Sequence, residues 1–387
     1  MLTVEFLSNA RAIPAALWEA CFPAPLEGVW WYEALEQCGL EEQFQFSYAL
    51  LHQNGIAVGI APLFVMNVSL RMVIPAALLS AFDFVTRFCP SMAYQRTLFV
   101  GSPCADEGTV GLLENVDRLA ALIALQSALK QRMRVVQASM LIWKDFPAQD
   151  EAIFLQLASV ANLFRAESFP GTLVDLPGPG VEDYYAALSR SHRSNLKRKL
   201  KKSRAILNLN VEVWQELDSE TLDQIFAVFW QTYQKATTRF EELTPAFFRE
   251  ISAAPCTRFV VLRHTDSSRI AAFMLCFMQG ERVINKFIGL DYQLPEQGFL
   301  YFRLWDAVVE WASSCGIKSI QSGQTGYSAK LLLEHRLQPL TNWCTHRNQL
   351  IQAIYRIIAR KITWETLDPD LACHLAAHPA TASVHDH

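Results

Sequence analysis

Between Arg190 and Arg204 the sequence sets Arg190, Arg193, Lys197, Lys201 and Arg204 three or four residues apart. On a helix this spacing puts them on one face, where like charges repel by roughly a few tenths of a kcal/mol per pair. A stripe that opposes its own helix calls for an anion: a coenzyme A diphosphate, a tRNA backbone or acidic lipid head groups. The competing reading is a solvated face, or one paired with acids elsewhere in the chain. A second candidate is Gly323-Gln324-Thr325-Gly326-Tyr327-Ser328-Ala329-Lys330, where two glycines bracket Gln324 and Thr325 just after a predicted strand. Backbone there can approach a ligand closely. Tyr327 is a candidate acid for a thiolate or hydroxyl leaving group. Gln324 can hydrogen-bond a carbonyl in an oxyanion-type role, and Lys330 can hold a carboxylate or phosphate. The plain alternative is a structured turn that caps the following helix with Tyr327 packed. Lys286 sits in the apolar run Val283–Gly289, and alternation places it with Ile284 and Ile288, at a cleft or on a solvated face. Asp83, between Phe82 and Phe84, reads as a buried acid and a substrate-binding candidate lining the cleft between the two domains; His346, a substrate-binding candidate, and His264 are possible bases, with a structural role the leading reading for each.

These residues need elements to position them. Phe46–Leu51 and Ile56–Val65 read as a hairpin about Asn54-Gly55, followed by a strand at Thr97–Val100, a helix at Gly111–Lys130, a strand at Val135–Ile142, a helix at Glu151–Leu163 and extended chain at Arg165–Leu176. Helices are also expected near Ile13–Glu19 and Trp30–Cys38. The Pro/Gly alternation of Leu176–Gly180 is the best linker candidate. Beyond it the plan recurs. A long basic helix spans Asp183–Arg204, with a strand at Leu209–Trp214 and helices at Ser219–Lys235 and Pro245–Ala253. The hairpin Phe259–His264 with Ile270–Phe277 leads to a strand at Val283–Leu290 and a helix at Leu300–Cys315 that Gly316 terminates. A strand at Ile317–Gln321, a short helix at Ala329–His335, a strand at Pro339–Arg347 and a helix at Leu350–Ile362 complete the pattern. The expectation is an α/β protein with mixed sheets in two similar domains, 1–176 and 181–365, and a flexible tail at 376–387; two unrelated α+β domains is the alternative.

Composition sets limits. The chain has 387 residues, more than one ordinary core holds, and 51% of them are hydrophobic against 19% charged, which excludes general disorder. The longest apolar stretches, Gly55–Met66 and Met72–Phe82, fall short of the roughly 20 residues of a spanning helix. With no signal-like start, the protein reads as cytoplasmic, and loose association with a membrane surface stays open. Nine cysteines, an odd number with no Cys-x-x-Cys pair, fit reduced thiols. No HExxH, Walker loop, GxSxG or His/Cys cluster of metal spacing occurs, so no metal is expected. The formal net charge of −4 argues against general nucleic-acid affinity.

Four stretches resemble a known family. They are Ala12–Trp18 with Glu33–Glu36, Gly59–Leu63, the basic run Ser191–Leu200, and Gln321–Lys330. In that order they are similar to the tandem acetyltransferase-fold (GNAT) proteins related to the Fem peptidoglycan-bridge enzymes. They look closest to the bacterial peptidoglycan- and cellulose-biosynthesis-like acyltransferases. The resemblance covers nearly the whole chain. It implies two tandem GNAT-like domains, the first degenerate and the second catalytic. It implies an N-acyltransferase that moves an acyl group from acyl-CoA or an acyl carrier protein to an amine of a small molecule or envelope precursor. Alternatives are an aminoacyl-tRNA-dependent Fem-like ligase and an inactive envelope-associated binding protein. The resemblance also places a pyrophosphate-binding loop at Asp291–Leu300, where Gln297 and Gly298 become donor-binding candidates with the basic stripe. Gly298 is the only glycine in that loop. Oligomeric state is not legible.

Overall fold

The computed structural model describes residues 1–70, 83–84, 86–87, 93–236 and 240–378. The apolar stretch Met72–Phe82 and the end of the expected tail lie outside them. Contacts divide the chain into two compact units. The first comprises Met1–Phe22, Glu41–Ser168 and Pro339–Thr366; the second comprises Pro23–Leu40, Phe169–Gln338 and the chain from Leu367 onward.

In the first unit, β1 (Leu2–Leu7), β2 (Gln45–Gln53), β3 (Ile56–Ser69) and β4 (Tyr94–Val100) pair antiparallel in that order. A short β5 (Gly111–Leu112) pairs with β3. β6 (Met140–Pro147) then runs parallel to β4. The β2–β3 turn forms where expected because Asn54 and Gly55 both take positive φ, 53° and 84°. Helix α1 (Ala15–Cys21) belongs to this unit, and α2 (Val29–Gln37) to the other. Helix α3 (Arg118–Val135) begins later than the apolar pattern indicates, because Asp117 caps it by accepting the Ala120 N–H at 3.0 Å. That displacement carries β6 toward the C-terminus. With α4 (Glu151–Ala161), α3 packs Leu122, Leu125, Phe154 and Leu157 onto Leu141 and Trp143.

The second unit repeats the order. β9 (Leu209–Trp214), β10 (Thr257–His264), β11 (Ile270–Gln279) and β12 (Arg282–Leu290) pair antiparallel, and β13 (Ser319–Ser322) is parallel to β12. The next strand in each sheet comes from far away along the chain. β7 (Phe164–Glu167) and β15 (Leu340–His346) pair with each other in the first unit, with β15 beside β6. β8 (Gly171–Asp175) and β14 (Arg336–Gln338) do the same in the second, with β8 beside β13. The extended run 165–176 is therefore two strands in two sheets, separated by Pro170, which has no N–H for a ladder. The final strand, expected in the second half, completes the first sheet because Trp343 is a core residue there, stacked on Phe154 at 5.7 Å. The units are thus interleaved in sequence and not divided at 176–181. The Pro/Gly stretch separates β8 from helix α5 (Val181–Ala187) inside the second unit.

The expected long basic helix is also two. Leu188 is extended, and Ser189 caps a fresh helix α6 (Arg190–Ile206) by accepting the His192 N–H. Helices α7 (Ser219–Lys235) and α8 (Pro245–Ser252) carry Phe229, Phe247 and Phe248 against Phe273 and Phe287. On a second core, α9 (Leu300–Ser314) packs Leu304, Trp305 and Val308 with Tyr184, Leu196 and Leu200. Helix α10 (Tyr327–Leu332) links β13 to β14; α11 (Gln349–Ala359), α12 (Trp364–Leu367) and α13 (Pro369–Ala377) end the described chain. Among the described residues no helix is long and apolar enough to cross a membrane.

Candidate functional site

The parallel pair β12–β13 is short. It begins at Arg282–Ser319 and ends at Asn285–Ser322, after which β12 continues to Leu290 without β13 beside it. The fork is pinned where it opens: Asn285 Nδ2 donates to Ser322 Oγ at 3.2 Å, and both residues are buried. The first residue past the fork is Lys286. The ladder with β11 shifts register here, Leu275 facing Phe287 and Cys276 facing Asn285, so Lys286 is the extra residue of a bulge. Its Nζ lies 2.8 Å from Glu27 Oε1 and 5.0 Å from the ring centre of Trp31. The ammonium side chain is 1% exposed and the carboxylate 11%. So deep a pair survives because each charge answers the other; either alone would be strongly disfavoured. Tyr32 on the same helix has its phenol pKa raised by burial and by the negative charge of Glu27.

Past Leu290 the chain folds tightly. Asp291 accepts the Gln293 N–H at 2.9 Å and meets Arg269 at 3.2 Å. The turn Glu296–Gly298 leads to Phe299 in the left-handed region, at φ 45°. A Cβ on Gly298 would lie 2.6 Å from Leu207 Cδ1, so a larger residue here would have to push the Leu207 side chain aside. Gln297 lies in the same turn. Among the described residues no side chain caps the N-terminus of α9 that follows, where the helix dipole has its positive end. Lys199 of α6 stands over the Phe302 ring at 3.5 Å and the Phe299 ring at 5.8 Å, and burial lowers its pKa, assisted by Arg198. Arg303 fastens α9 by donating to the Leu207 and Leu209 carbonyls, both at 2.7 Å.

On the other arm of the fork, Gln324, Tyr327 and Lys330 come together as the sequence indicates, but they face the protein. Lys330 is buried, and its Nζ donates to the carbonyls of Ser322 at 3.2 Å, Gly323 at 2.7 Å and Gln324 at 3.4 Å. Tyr327, with no exposure, donates to the Pro170 carbonyl at 2.7 Å, and Gln324 donates to the Phe169 carbonyl at 2.9 Å. The packed-turn alternative describes this geometry. Thr172 of β8 also donates to the Ser322 carbonyl.

The basic stripe divides. Arg193 donates to the Tyr185 carbonyl at 3.4 Å, Lys197 pairs with Glu182 at 3.2 Å and covers the Tyr185 ring, and Arg204 pairs with Asp306 at 3.0 Å. Asp306 also accepts from Tyr185; burial raises its pKa. Much of the anion demanded by the stripe is therefore supplied by α5 and α9. Arg190 and Lys201 are exposed.

Asp83 and His346 belong to the first unit. Asp83 is half-buried, and its carbonyl accepts from Thr86. His346 is buried on β15, where Nδ1 accepts the Asn348 N–H at 3.0 Å, and burial lowers its pKa. Sequence reasoning missed Glu27, Trp31 and Lys199. The first two come from a segment assigned to the other half, and Lys199 lies off the face that the charge spacing picks out. Among the described residues no His/Cys/Asp/Glu group has metal-holding geometry.

Residues 190–328 match the family described as acetyltransferase (GNAT) domain. The crystal structure of FemX superposes with a TM-score of 0.58 at 11% identity, covering 91% of this chain and 100% of that one. A tandem GNAT protein from the clavulanic acid biosynthesis pathway, solved without AcCoA, gives 0.51 at 10% identity, covering 89% of this chain and 99% of that one. No curated protein matches the sequence. The protein has the tandem GNAT fold. The stretch that matches the acetyltransferase (GNAT) model lies in the second unit, and the fold is the one that the sequence resemblance implied.

Proposed function

We propose that the second unit is an N-acyltransferase of the bacterial cytoplasm that takes its acyl group from a thioester, acyl-CoA or an acyl carrier protein, and gives it to an amine of a small molecule or envelope precursor. The observation that carries this reading is the parting of β12 from β13 after Asn285, followed through the turn 291–299 by the N-terminus of α9. An extended pantetheine-like donor can pair along Lys286–Ile288, short of Leu290, whose N–H donates to Thr232 Oγ1 at 2.9 Å, while its pyrophosphate meets the α9 N–H groups and Lys199. Gln297 and Gly298 shape that loop, and the exposed Arg190 and Lys201 add positive field. Bound there, the donor supplies only the activated carbonyl.

The acceptor amine attacks that carbonyl directly, and holding the two together supplies much of the rate. A C–N bond forms, the C–S bond breaks, and the departing thiolate takes up a proton. The proton the amine loses balances the one the thiolate takes up, while the Lys286–Glu27 ion pair stays intact and holds β12 past the fork. Gln324, Tyr327 and Lys330 act as positioning residues that hold the Ser322–Gln324 arm of the fork. Purified protein should melt several degrees higher with millimolar coenzyme A, and Lys199→Glu should remove most of that shift. No shift in the unaltered protein overturns the donor assignment. The exposed Arg190, Arg198, Lys201 and Lys202 on α6 favour one second reading, an aminoacyl-tRNA-dependent ligase. Retention of charged tRNA on filters, without a coenzyme A shift, would select it.

A further inference from the structure

Helix α11 lies over β7 and β15 of the first unit, and one side of it is well anchored. Gln352, buried, accepts from the Thr345 hydroxyl at 3.0 Å and the His346 N–H at 2.7 Å, while Arg356 donates to Asn162 at 2.7 Å. The opposite side is apolar and open: Leu350 is 78% exposed, Ile354 55% and Ile357 60%. Their spacing puts them in one row. Val160, also exposed, lies just before Asn162, to which α11 is bonded. Exposed aliphatic rows of this kind mark surfaces that meet something apolar.

The charge around the row says what. From Arg347 to Trp364 the chain carries Arg347, Arg356, Arg360 and Lys361 and no acid. Arg347, Arg360 and Lys361 are exposed, and Lys361 continues the spacing of the row beyond the helix end. We propose that this face of α11 docks on an anionic lipid membrane, with Leu350, Ile354 and Ile357 entering the acyl boundary and Arg360 and Lys361 meeting lipid phosphates. A second copy of the chain fits the face less well, because two-fold pairing would set these cations against their own counterparts. RNA fits less well too, because aliphatic side chains offer no stacking surface for bases.

The test is flotation of the full-length protein with phosphatidylcholine vesicles, with and without about a third phosphatidylglycerol. The protein should float with the anionic vesicles alone and be released as salt shortens the screening length. Ile354→Asp should abolish binding. The pair Arg360→Glu and Lys361→Glu should weaken it more than tenfold, since each basic residue near such a surface contributes about fivefold. All of these positions are exposed, and an unchanged melting temperature confirms that the variants fold. Failure of the unaltered protein to float, or binding that Ile354→Asp leaves intact, overturns the proposal. A dimer in sedimentation that Ile354→Asp turns into monomer, without vesicle binding, assigns the face to a second copy. None of these readouts involves acyl transfer, so the outcome is separate from that of the proposed function.

Discussion

The two units share a sheet order, apart from the short β5 of the first, and differ beyond the end of the fourth strand. In the first, β4 ends at Val100, the last residue paired with β6, and the space beyond is filled by the chain that follows. There the Gly108 N–H donates to the Asp145 carbonyl at 2.8 Å, Lys144 reaches the Ala105 carbonyl, and Asp145 pairs with Lys144 and accepts from Ser168. In the second unit β12 runs on past its partner from Lys286, and at its far end the Leu290 N–H donates to Thr232 Oγ1 at 2.9 Å. The same topology thus makes a sealed end in one case and a candidate cleft in the other. The difference is a matter of where a strand stops and what the following loop does, not of the fold.

The comparison can be broken most forcefully at the exchanged strands. Trp343→Ala should destabilise the first unit by about 3–5 kcal/mol, although the residue is far along the chain from most of that unit. Limited proteolysis should then cut within 41–168 first; protection there would refute the exchange. At the fork, Glu27→Ala should cost about 3 kcal/mol by stranding a buried ammonium, and Lys286→Met combined with Glu27→Gln should recover most of it. Urea unfolding of the single and double variants measures both.

A smaller effect separates the two buried histidines. Among the described residues neither ring nitrogen of His335 has a partner; the ring lies tilted against Trp305 at 4.6 Å, and its pKa is held far below the usual value by burial and then by Lys330. The unfolded chain takes up a proton below about pH 6.5 that the folded chain refuses, so stability falls as pH falls. Between pH 7 and pH 5 the loss should reach about 2 kcal/mol, and His335→Phe should remove it. His346, bonded to Asn348, should show less. Last, Gly108→Ala should cost about 1–3 kcal/mol and leave the coenzyme A shift intact, whereas Gly298→Ala should diminish that shift at a similar cost. Equal responses to coenzyme A would erase the distinction between the units.

Much of this was legible in advance. The hairpins at Asn54-Gly55 and Thr265–Ser268, the strand holding Lys286 and the stop at Gly316, where φ is 76°, follow from local turn and cap chemistry. The clustering of Gln324, Tyr327 and Lys330 was also readable from short-range spacing. What could not be read was long-range choice. Nothing in Leu340–His346 states that its Trp343 belongs with Phe154, and nothing near Glu27 states that Lys286 awaits it. The charge stripe misled for a related reason: periodicity gives a face, but not whether Glu182 and Asp306 already occupy it. A glycine count likewise could not show that Gly298 sits against the Leu207 side chain.

The strand exchange has a consequence for synthesis on the ribosome. The first sheet lacks β15 until residue 346 has been made and released from the exit tunnel, so β6 presents an unpaired edge through most of translation. The usual order, in which an N-terminal domain closes before the next one emerges, is therefore unavailable to this chain. Both units must finish together, and a stalled or truncated product would carry an adhesive strand edge that the complete protein never shows.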